Sequence, residues 1–201
     1  IISAHKVGPT IADDIKRTAV IVIIASLLII FLYILARFRN WQFGLGALAA
    51  LVHDVMLVIG LFSLLHGIMP FSLELDQSFI AAILTVIGYS INDTVVVFDR
   101  IREFFNKYTR QTKEEVINGA INSTVSRTVI TSLTTLFVGA GLFVFGGSSI
   151  KGFAFALLIG IVVGTYSSIF IATPVMADLT GDMKAVDATS EKKGFSKSAK
   201  K

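Results

Sequence analysis

Cysteine is absent from the 201-residue chain, which excludes disulfides, thiolate chemistry and Cys-ligated metals. Charge is scarce too. Only 16% of residues are Asp, Glu, Lys or Arg, against about a quarter in soluble domains. A secretory signal is also missing from residues 1–17 (IISAHKVGPTIADDIKR), which carry Lys6, Asp13, Asp14, Lys16 and Arg17 and no apolar core. The chain is therefore expected to open inside an extramembrane segment, and the absence of an initiator Met fits a fragment or a trimmed chain.

What is present is grease. Hydrophobic residues make up 54% of the chain and mean hydropathy is +0.76. The apolar residues come in blocks of about 20, the length that crosses roughly 30 Å of hydrocarbon. The expected fold is an all-α, polytopic membrane helix bundle of five spans, at about 18–36, 42–66, 78–99, 124–145 and 150–176. Gly67 and Pro70 end the second block, and Gly146-Gly147-Ser148-Ser149 turns the fourth into the fifth. Thr112-Lys113-Glu114-Glu115 fits a capping box, so a short interfacial helix is expected over 112–123. The Lys/Ser-rich tail, 178–201, reads as disordered.

Basic residues set the expected orientation. Arg37, Arg39, Arg100, Arg102, Lys107, Arg110, Lys113 and the six lysines of the tail fall on one side. Lys6, Lys16, Arg17 and Lys151 fall on the other. The first side is expected to be cytoplasmic, leaving the N-terminal stub outside. The net charge of +4 then needs no nucleic acid to explain it.

Ionisable residues within spans are costly and are functional candidates by default. Here they are His53 and Asp54 in the second span, Asp93 in the third and Arg127 in the fourth. Asp93 lies about 10 Å deep, counted at 1.5 Å per residue from Arg100, too far for its short side chain to snorkel. Arg127 lies at a comparable depth, although a long side chain there can also reach the interface. Asp54 beside His53 reads either as a titratable pair or as a structural hydrogen bond. Thr85, Tyr89 and Asn92 share one face of the third span, and Thr124, Thr128, Thr131 and Thr135 one face of the fourth. The two sets line a polar seam or serve as interhelical glue. Gly152, Ala156, Gly160, Gly164, Ser168 and Ala172 recur every four residues and read as a packing seam.

The stretch GYSINDTVVVFDRIRE (88–103) resembles the signature of the SecF family, partners of SecD in the bacterial Sec accessory complex. HDVMLVIGLFSL (53–64), INSTVSRTVITSLTTL (121–136), FAFALLIGIVVGTYSSIFIATPV (153–175) and VGPTIADDIK (7–16) agree with it, in order. The resemblance implies a fold related to the resistance-nodulation-division transporters, with a first span and most of a periplasmic domain missing here. It implies a multi-pass protein of the bacterial inner membrane that uses the proton-motive force, with no other cofactor, to assist late export and release of preproteins. SecD, separate or fused, the SecYEG translocon and YajC are the implied partners. The family's key carboxylate in this half falls on Asp93 and its key intramembrane arginine on Arg127. The proton route also takes a carboxylate from the SecD half.

Three other readings stand beside it. Two intramembrane acids, Asp54 and Asp93, invite an aspartyl protease, but Ser90-Ile91-Asn92 precede Asp93 where such proteases carry Gly-x-Gly. No enzymatic activity is expected. A proton-driven exporter of small molecules and a purely structural translocon scaffold are the alternatives of other kinds.

Overall fold

The computed structural model describes residues 9–181, with side chains from Asp14 onward. The elements are α1 (Pro9–Phe38), α2 (Trp41–Leu65), α3 (Gln77–Lys107), α4 (Lys113–Phe145) and α5 (Ser148–Ser167). A π-helical segment, Ser168–Ala172, then leads without a break into α6 (Thr173–Leu179). Among the described residues there is no strand. Five stretches are long and apolar enough to cross a membrane: α1 to α4, and α5 to α6 taken together. The fold is an all-α polytopic bundle.

Local chemistry sets the helix ends. The Asp76 side chain accepts the Phe79 amide at 2.8 Å and caps α3. Thr112 accepts from the Glu115 amide, and Glu115 reaches back to the Thr112 amide at 3.0 Å, so the capping box starts α4. α2 stops before Gly67, whose φ of 81° suits a residue without Cβ. Pro174 lacks an N–H for the carbonyl one turn back, and the wide π turn lies immediately before it. The Thr173 hydroxyl bonds the Ser168 carbonyl across that turn at 3.1 Å.

Several boundaries differ from the sequence reading. The first helix begins at Pro9 rather than 18, so the charged stub from 9 to 17 is helical. The separate interfacial helix over 112–123 does not exist. Nothing between Lys113 and Phe145 breaks the ladder, and Gly119 is absorbed in the helix, so one helix runs through both segments. α3 continues past Asp99 to Lys107. The tail from 182 and residues 1–8 lie outside the described residues.

α3 is the middle of the bundle, packed against α5, α4 and α2. At the basic end, Phe38, Phe43 and Phe98 stack face to face and edge to face with Val97, Ile101, Ala120 and Met176. At the opposite end, Phe62, Phe79, Ile83, Leu51 and Ala156 form a second apolar cluster, into which Leu73 of the α2–α3 loop is tucked. The fully buried members of the two clusters on α3 end at Ile87 and resume at Val97, and on α5 and the π segment they end at Ala156 and resume at Ala172, with partly buried Ile91, Val95, Leu157, Ile159 and Ile171 packed at the edges. The buried polar side chains Ser90, Asp93, Thr94, Ser167 and Ser168 occupy this middle layer, with Asp54 opposite on α2.

The small residues of α5 bring it against α3. A Cβ on Gly160 would overlap the Val86 side chain, and one on Gly164 would lie 3.0 Å from Ser90 Cβ. Ala156, Gly160, Gly164, Ser168 and Ala172 are buried, and Gly152 is half-buried near the Ser72 carbonyl.

Candidate functional site

Two polar nodes sit in the middle layer. Asp93 on α3 is 4% exposed, and its Oδ2 lies 3.5 Å from Ser132 Oγ of α4, the donor. Ser132 Oγ is 2.6 Å from Thr165 Oγ1 of α5 and accepts from Tyr89 OH at 3.3 Å. Thr165 spends its own hydrogen on the Ile161 carbonyl at 2.7 Å. Ser132 has a single hydrogen for two acceptors, Asp93 and Thr165, while Tyr89 fills one of its lone pairs. It is a branch point joining three helices.

The second node is Asp54, which is 0% exposed. Ser90 Oγ of α3 and Ser167 Oγ of α5 donate to its Oδ2 at 2.6 and 2.8 Å. His53 Nδ1 lies 3.2 Å from its Oδ1. His53 is half-exposed and lines an open apolar groove of about 720 Å³ between α2 and α6, with Leu48, Val52, Met56 and Val175. The hydroxyl of Thr94 donates to the Ser90 carbonyl at 3.0 Å, so it supports α3 rather than the carboxylate.

The remaining candidates divide. Arg127 is exposed on α4 and forms no ion pair with Asp93. The ion pairs among the described residues are Arg37–Asp99, Arg100–Glu103 and His53–Asp54. The reason is angular: Thr128 is buried, and one residue along a helix turns about 100°. Asn92 and Thr85 are exposed on α3, next to buried Asp93 and Val86 respectively. Thr131 and Thr135 bond backbone carbonyls one turn back, of Arg127 and Thr131. Of the expected stripe on α4, Thr124 and Thr128 are buried and the row continues through Ser132 rather than Thr131. Thr124 bonds its own helix, and Thr128 Oγ1 is buried with no partner among the described residues. The sequence reading missed Ser132, Thr165, Ser90 and Ser167, whose only signal was a hydroxyl at helical spacing inside an apolar run.

Comparison with known proteins fits this geometry to a family. The model for "Protein export membrane protein SecD/SecF, C-terminal" matches residues 1–182. The chain belongs to the SecD/SecF C-terminal family. It is 59% identical over 179 residues to protein translocase subunit SecF of Rhodothermus marinus, covering 89% of this chain and 58% of that one. Against SecF of Haemophilus influenzae the identity is 46% over 177 residues, covering 88% and 52%. Against the fused SecDF of Brucella abortus it is 43% over 182 residues, covering 90% and 23%. A crystal structure of SecDF in a super-membrane-facing form is similar at a TM-score of 0.74 and 42% identity, over 92% of this chain and 24% of that one. The chain thus spans a little over half the length of these SecF relatives. Family membership and five apolar spans make it a multi-pass protein of the bacterial inner membrane.

Proposed function

We propose that this chain is the membrane part of a SecF-type subunit that works with SecD in protein export. It uses the proton-motive force to assist late translocation and release of preproteins delivered through SecYEG, with YajC as an accessory partner. The proton gradient is the only cofactor, and the basic end of the bundle faces the cytoplasm.

The observation that carries the reading is the Asp93 node. The carboxylate is buried, no cation lies within ion-pair distance of it among the described residues, and Ser132 is its hydroxyl partner. A fixed cation would lock Asp93 in the charged state. A hydroxyl donates to a carboxylate and accepts from a carboxylic acid, so Ser132 serves both states by turning its hydrogen between Asp93 and Thr165. Each charge carried across the membrane releases about 2.3 kcal/mol per 100 mV. Thr128, unpartnered one turn from Ser132, supplies a further hydroxyl in the same row.

The exposed polar face of α3 and α4 supports the partner. Arg127, Asn92 and Thr85 point outward, at depths where hydrocarbon cannot satisfy a guanidinium or an amide. Thr85 already donates to the Ala81 carbonyl, but a partner helix with acceptors at that depth satisfies Arg127 and Asn92, and the SecD half is the partner we assign. Arg127, one helix away from Asp93 in the same subunit, then pairs with the partner or turns toward Asp93, and motion of the partner changes that balance. The known homologues named SecDF carry both halves in one chain, which agrees with this assignment.

Asp93→Asn in the full-length protein assembled with SecD tests the reading. Gradient-dependent release of a secreted substrate from membrane vesicles should fall to the level seen without a gradient, with insertion and complex assembly unchanged. Release at the wild-type rate would remove Asp93 from the mechanism.

A further inference from the structure

We propose that Asp54 is a positioning residue: an acceptor post on α2 that holds α3 and α5 in the relative placement the Asp93 node requires. The inference rests on the proton-coupling reading above, but the post itself follows from geometry. Ser90 and Ser167, one from each of two helices, converge on a single oxygen, Oδ2, of a side chain with no exposure. Both helices then supply the other node within a turn. Asp93 lies three residues beyond Ser90 on α3, and Thr165 lies two residues before Ser167 on α5. A rotation of either helix that lengthened the Asp54 bonds would also move Asp93 or Thr165 relative to Ser132.

Packing makes the post necessary. At Gly164 the backbone of α5 already sits against Ser90, and an added Cβ would lie 3.0 Å from Ser90 Cβ. Small residues permit close approach but do little to fix rotation about the helix axis. Directional hydrogen bonds do fix it. Ser167 is also the last residue before the π segment, where the backbone ladder changes from one register to the next. Asp54 therefore holds α5 at the place where its own ladder is least regular.

The connections argue against a proton route through Asp54. The hydroxyl of Ser90 bonds Asp54 and that of Thr94 bonds the Ser90 carbonyl, so among the described residues no chain of hydroxyls runs from Asp54 to Ser132. His53 closes the other oxygen from the groove side. An amide oxygen accepts the same two serine bonds, so the role does not need a titrating group.

The test uses the full-length protein with its SecD half in vesicles or nanodiscs, and two readouts. Asp54→Asn should keep gradient-dependent release within about twofold of wild type, because the acceptor oxygen remains. Asp54→Leu should lose release, and its amides over 161–172 should exchange with solvent on the order of tenfold faster. Ser167→Ala removes one donor with little change in volume, and should show the same faster exchange to a smaller degree even where Asp54→Leu does not insert. Loss of release in Asp54→Asn equal to that in Asp93→Asn would make Asp54 a proton carrier and overturn the proposal. Unchanged exchange in both Asp54→Leu and Ser167→Ala would overturn it as well. Should Asp93→Asn release substrate normally, the coupling reading fails alone, and the exchange data still decide whether Asp54 is the post.

Discussion

Placing a methyl group on Gly160 probes the tightest contact in the bundle. The new Cβ would lie 2.7 Å from Val86 Cγ1 and 2.9 Å from Val86 Cβ, well inside carbon–carbon contact. α3 cannot retreat freely, since α2 and α4 hold it from other sides. Overpacking of this kind costs about 1–3 kcal/mol, and Gly160→Ala should destabilise the bundle by that amount. Val86→Ala in the same molecule removes both offending methyls and leaves a Cβ–Cβ approach that a shift of a few tenths of an ångström relieves. The double variant should recover part of the loss, giving a coupling of about 1 kcal/mol or more in a double-mutant cycle. Gly60→Ala is the control: nothing lies within 4 Å of its added carbon, so stability should be unchanged or slightly raised. Reversible unfolding in mixed micelles, titrated with a denaturing detergent, measures all four. A Gly160→Ala protein as stable as wild type, or a Val86→Ala change that rescues nothing, would refute the close α3–α5 approach.

Three further outcomes follow from contacts described above. Ser132→Ala takes the shared hydroxyl from Asp93, Thr165 and Tyr89 at once; it should cost about 1–2 kcal/mol in the same unfolding assay and slow gradient-dependent release, whereas Ser126→Ala on the exposed side should do neither. Thr112→Ala removes the hydroxyl half of the capping box and should lower stability by about 1 kcal/mol, with faster amide exchange confined to the first turn of α4. Arg37→Ala breaks an ion pair whose two side chains are each about two-fifths exposed, so the loss should stay below about 0.5 kcal/mol and shrink further in high salt.

The long apolar runs made five helices legible, because nothing else satisfies the backbone in hydrocarbon. The Thr112 box was readable for the same kind of reason: its two hydrogen bonds are local. What lay beyond reach depends on neighbours. From Thr128, both Thr131 and Ser132 sit near the same face, because 3.6 residues per turn falls between three and four. Only the position of α3 and α5 selects Ser132. Arg127 fails to meet Asp93 through the same arithmetic, being one position away from the buried row. Ser90 and Ser167 carry little signal alone, since a lone serine in a membrane helix usually bonds its own backbone. Asp54 was visible as a buried acid, but the two hydroxyls that define its surroundings come from helices 36 and 113 residues away. The continuous α4 shows the converse error, a boundary inferred where no Gly or Pro enforces one.

α1 leans mainly on α2, and near its last turn it meets α3, where Phe38 packs on Phe98 and Arg37 pairs with Asp99. Its outer surface, from Val20 to Tyr33, lies open. Such a rod has a fulcrum at the basic end and about 45 Å of length beyond it at 1.5 Å per residue. A tilt of about 5° would sweep the far tip by about 4 Å while the aromatic bearing moves well under 1 Å. Read in reverse, a small displacement of Phe98 would be magnified along the rod wherever α2 yields with it, so α3, which carries both Asp93 and Phe98, would be geared to the opposite membrane surface.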